Sequence, residues 1–86
     1  MAAQQSMWHV NDVVAYDVMR ELSASLQARL IDRVRTEDDN AARAELLEVR
    51  RTTLAVDGYD RAAVDAFTQQ LQDRETELAQ AAPSAH

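Results

Sequence analysis

An all-α fold, an antiparallel three-helix bundle with a long first helix, follows from three features of the sequence. Glycine and proline occur once each in 86 residues, so the chain holds few obligatory breaks. Ala, Leu, Arg, Glu and Gln dominate, and these residues lose little on entering a helix. Apolar residues recur at three- and four-residue steps, with no convincing alternation of the kind that marks strands. A length of 86 residues allows one domain, near the lower limit for an independent core.

The first helix is expected over about residues 11–35. Ala15, Met19, Leu22, Leu26, Leu30 and Val34 form one apolar stripe, with Val18 and Ile31 widening it. Asn11 or Asp12 can cap its start. Asp17, Arg20, Glu21, Gln27 and Asp32 fall mostly on the opposite side. At about 1.5 Å per residue such a helix is nearly 40 Å long, so it should overhang the other two.

"TEDDN", Thr36 to Asn40, interrupts the apolar pattern. No residue in it forbids a helix. A break is expected because one unbroken helix would leave its stripe without an intramolecular partner, and because acids suit a helix start. The second helix is then placed at 39–56, with Leu46, Leu47, Val49, Leu54 and Val56 inward and Ala42 permitting close approach. Gly58 is expected to end it in the left-handed conformation, with Tyr59 packed over the turn. Asp60 caps the third helix, 60–80, whose stripe is Val64, Phe67, Leu71 and Leu78, interrupted by Arg74. Residues 1–10 read as a flexible arm, 11–81 as the domain, and 82–86, with Pro83, as a frayed tail.

The chemistry-bearing residues are sparse. His9 and His86 have no second ligand at helical spacing, no glycine-rich loop could cradle phosphate, and cysteine is absent. Ser23 and Ser25 stand on a helix with no histidine near in sequence. These residues predict a non-enzymatic protein without metal or cofactor. All nine basic residues are arginine, and the net charge of −6 opposes binding to nucleic-acid phosphates. An acidic third helix likewise argues against a helix-turn-helix reader. The charge suits either solubility or a basic cleft on a protein partner. With no secretion signal and no membrane-length apolar run, a cytoplasmic protein is expected.

Protein binding is the class that remains, and the start of the first helix is its best location. Trp8 can serve as a binding anchor or fold back as a staple on the bundle. Tyr16 can sit at the core edge or on the contact surface, beside an exposed side formed by Asp12, Asp17, Arg20 and Glu21.

The segments "DVVAYDVMRELSASLQARLIDRV" and "LLEVRRTTLAVDGYDRAAVDAFTQQLQDRETEL" resemble the small actinobacterial three-helix antitoxins of epsilon/zeta-type toxin–antitoxin systems, over about residues 12–78. "AVDGYDRAAVDAF" is the most distinctive part. The resemblance implies a partner that is a zeta-type toxin, a P-loop kinase that phosphorylates UDP-activated amino sugars. It also implies a hetero-oligomer in which the first helix blocks the kinase's nucleotide site, with Tyr16, Asp17, Arg20 and Glu21 as contact candidates. The alternative function is a non-enzymatic helical module that assembles with itself or within a larger complex. Secreted W-x-G hairpins are excluded, because Trp8 has no glycine two places on.

Overall fold

The computed structural model describes residues 10–81, which form three helices: α1, Val10–Glu37; α2, Asn40–Ala55; and α3, Arg61–Ala81. There is no strand among the described residues, and α1 packs against both other helices. The expected arm at 1–10, save Val10, and the tail at 82–86 lie outside the described residues. The core holds Met19, Leu26 and Leu30 of α1, Ala42 and Val49 of α2, and Val64, Phe67, Leu71 and Leu78 of α3. Each set repeats at helical spacing, so each helix contributes one stripe.

Cross-helix pairs set direction and register. Asp12 meets Arg61 at 2.8 Å and Arg29 meets Glu75 at 2.7 Å, so α3 runs parallel to α1. Ser23 meets Thr53 at 2.6 Å, and a two-residue reversal precedes α2, so α2 is antiparallel to α1. Arg61 opens α3 and Asp12 lies in the first turn of α1, so these helices start nearly level. By contrast α2 ends two residues past Thr53, while α1 continues from Ser23 back to Val10. At about 1.5 Å per residue, α1 therefore extends roughly 16 Å beyond α2. Among the described residues, the overhang expected against both helices is large only against α2.

No Cα of α2 lies within 8 Å of one of α3. Side chains close the gap. Arg74 donates from Nε and Nη2 to the two carboxylate oxygens of Glu45, at 2.7 and 2.8 Å. The carboxylates of Glu45 and then Glu77, the latter 3.1 Å from Nη1, hold the Arg74 guanidinium well above its ordinary proton affinity against the opposing effect of burial. Arg74 is thus a bridge between helices as well as an interruption of its stripe. Behind the bridge, Leu26, Val49, Phe67 and Leu71 line a narrow crevice.

The two turns exchange the roles that residue type suggests. Asp38 is the one described non-glycine residue with positive φ, at 49°, and its N–H bonds Val34 O at 3.0 Å. That is a left-handed helix stop built on aspartate, which tolerates the conformation better than most residues. Asp39 then caps α2, accepting from the Ala42 N–H at 3.0 Å. Gly58, expected to be left-handed, is not. The chain instead leaves α2 through extended Val56, and the Asp57 carboxylate accepts the Tyr59 N–H at 2.9 Å. Asp60 caps α3 as expected, accepting from Ala63 N–H at 3.1 Å. Tyr59 is more than half exposed at this turn. Asn11 and Asp12 are already helical, so neither caps α1.

Ser23, 1% exposed, anchors a polar contact within the core. The Thr53 hydroxyl donates its single hydrogen to Val49 O at 2.7 Å, so Ser23 must donate to Thr53 and accept from Gln27 Nε2 at 2.9 Å. Thr53→Val strands the buried Ser23 donor and is expected to cost about 1–3 kcal/mol in a denaturant titration. The Ser23→Ala/Thr53→Val pair should cost less than the two single changes summed. Thr68 presents the opposite case, a buried hydroxyl with no hydrogen-bond partner. Thr68→Val removes that unmet polar group at nearly constant shape, and a gain of about 1 kcal/mol is expected by the same titration.

Candidate functional site

The outer side of the first half of α1, turned away from the core, is unusually apolar. Val10, Val13, Val14 and Val18 are all exposed, Val10 at 78% and Val14 at 54%. Val10, Val14 and Val18 stand at successive i, i+4 positions and so form a ridge along one side. Valine is a poor helix former because its branched side chain is restricted against the preceding turn. Val10 and Val14 gain little burial here, so packing within the bundle does not account for them. A clustered exposed apolar surface marks a contact site more often than scattered single residues do.

Acidic and basic groups flank the ridge. Asp17, Arg20 and Glu21, with Ala24, line a shallow open depression on α1. The Arg20 guanidinium carbon lies 6.0 Å from the centroid of the half-buried Tyr16 ring, within cation–π range. Arg20 also reaches a second notch at the α1–α2 seam, with Gln27, Arg50, Thr53 and Leu54. Leu54 is 88% exposed there. The result is a mixed surface: a valine ridge, a carboxylate pair and a stacked guanidinium, continued by an apolar tip on α2.

Four of the six residues expected at the partner surface are therefore brought together: Tyr16, Asp17, Arg20 and Glu21. Asp12 points elsewhere, since its carboxylate accepts from Arg61, which also holds Asp65 at 2.9 Å. These two carboxylates, Asp12 first, raise the proton affinity of the Arg61 guanidinium. Trp8 lies outside the described residues. The valine ridge was missed in sequence because Val18 was assigned to the inner stripe. Val10 and Val14 fall outside any stripe, and that was the available signal. Ile31, Leu47 and Leu54, also expected inward, are exposed as well.

Among the described residues, no group of three His, Cys, Asp or Glu side chains could hold a metal ion, and no helix is long and apolar enough to cross a membrane. Fold and surface together define a small all-α three-helix bundle with one apolar, charge-flanked helix face. No family model, curated protein or solved structure matches the chain.

Proposed function

We propose that this protein is a binding module that docks a protein partner through the first three turns of α1. The observation that carries the reading is the exposed valine ridge, Val10, Val14 and Val18, on the part of α1 that runs past α2. A partner suited to it offers an apolar groove for the valines. Basic groups on the groove's rim would meet Asp17 and Glu21. The chain supplies no chemical step in this reading.

The partner we propose is a zeta-type toxin kinase, with α1 occupying its nucleotide site. This identification rests on the resemblance of residues 12–78 to the epsilon/zeta antitoxins. An acidic first half of α1, with Asp12, Asp17 and Glu21 against Arg20, is compatible with it, because a site that binds ATP phosphates is basic. Co-expression with a Walker-loop kinase encoded beside this chain tests the proposal. Growth arrest by the kinase should be relieved, and ATP binding by the purified kinase should fall when the chain is added. Persistent arrest with both proteins soluble would refute the antitoxin assignment while leaving the docking face open to another partner.

A further inference from the structure

We infer that the α1–α2 turn is a hinge through which two copies of this chain exchange their α2–α3 halves. Two observations carry it. The turn has only two non-helical residues, and Asp38 holds a left-handed φ of 49° without being glycine. Charge acts on both sides of it: Glu37 and Asp38 are disfavoured at the negative end of α1, with Arg35 the basic residue of that last turn, while Asp39 is favoured as the cap of α2. Arg43 approaches Asp38 only to 3.7 Å, in a pair that is 91% exposed on the aspartate side, and so offsets little. Nothing in residues 36–40 forbids helix, so the strain is relieved if α1 and α2 join from Val10 to Ala55.

The rest of the fold suits such an opening. α2 packs on α1 through Ala42, Val49, the edge of Leu46 and the Ser23–Thr53 bond. On the other side α2 is tied to α3 by the Glu45–Arg74 clasp and the Asp57–Asp60 turn. These two helices can therefore leave α1 together. A second copy's α1 then offers them the same stripe and the same Ser23 hydroxyl, so every contact of α1 with α2 and α3 is remade between chains. Only the hinge changes, and short strained hinges favour this exchange. The outer valine ridge stays exposed on both copies, so the dimer carries two docking faces.

Because the chain has no cysteine, the exchange can be read by covalent trapping. The probe is Ser23→Cys/Thr53→Cys, oxidised across a protein concentration series and run without reductant. Exchange predicts a covalent dimer that grows with concentration. Adding Asp38→Ala, which removes the residue most tolerant of the left-handed turn, should lower the dimer dissociation constant by about tenfold or more. Asp38→Gly should raise it. If the cysteine pair perturbs folding, dyes on the exposed positions Ser25→Cys and Arg51→Cys provide a second reading, with labelled chain diluted into unlabelled. Energy transfer should fall in the dimer, where the joined helix separates these positions by roughly 39 Å at about 1.5 Å per residue. Intramolecular disulfides alone at every concentration, with energy transfer unchanged on association, would overturn the proposal. A dimer whose disulfides remain intramolecular would overturn it equally.

Discussion

Leu26→Ala is expected to lower the unfolding free energy by about 3 kcal/mol, enough to bring so small a domain close to its unfolding limit. Leu26 is 1% exposed and meets Val49 of α2 and Phe67 and Leu71 of α3 along the crevice where those two helices part. Truncation enlarges a space that the α2 and α3 backbones do not already fill. The loss therefore combines the lost burial of the leucine side chain with an added cavity. The midpoint of thermal unfolding should fall by about 12–20 °C. Leu54→Ala, at a site 88% exposed, should change stability by less than about 0.5 kcal/mol. A Leu26→Ala loss below about 1 kcal/mol would mean that α2 and α3 do not share one core with α1.

Val14→Asp should have the opposite profile: fold unchanged, binding lost. Val14 is 54% exposed on the outer side of α1, and an added carboxylate there is solvated in the free protein. Against a partner, the same change withdraws apolar burial and places a charge in a dry groove. Together these effects should weaken the complex by at least about a hundredfold, or about 2.7 kcal/mol. The comparison is Leu47→Asp, an exposed apolar site on α2 away from the ridge, which should leave affinity nearly intact. Equal losses at the two positions, or none at Val14, would remove the valine ridge from the interface.

These two variants also show where the sequence was readable. Met19, Leu26 and Leu30 repeat at helical spacing on a long segment, and that pattern names inward residues whatever the neighbouring helices do. The stripe's width is another matter. Whether Val18 or Ile31 is covered depends on how far α2 and α3 reach along α1, and no local pattern encodes that register. Leu47 and Leu54 follow the same logic on α2, which docks along a narrow line through Ala42 and Val49. The site was legible in part for the same reason. Asp17, Arg20 and Glu21 lie outside the inner stripe and so could be placed on the surface from spacing alone. Val10 and Val14 acquire meaning only once the inward side of α1 is fixed through Met19, Ser23, Leu26 and Leu30, because they stand on the side turned away from it.

Turn chemistry was the least legible feature. A lone glycine invites assignment to the left-handed position, yet Asp38 takes that conformation while Gly58 does not. Asp57 and Asp60 explain the second turn. Their side chains accept the Tyr59 and Ala63 N–H groups, so the reversal is organised by aspartate carboxylates without a positive φ. At the first turn, the two-residue connection forces the reversal, and Asp38 is the residue standing at the left-handed position.

The proposed docking role of α1 is tested most directly by amide hydrogen exchange on the chain with and without the kinase proposed as its partner. Added protection is predicted over Val10 to Glu21, fading toward the C-terminal half of α1, with α2 and α3 little changed apart from the seam near Leu54. Protection confined to α2 and α3, with the first three turns of α1 exchanging as they do in the free chain, would contradict it.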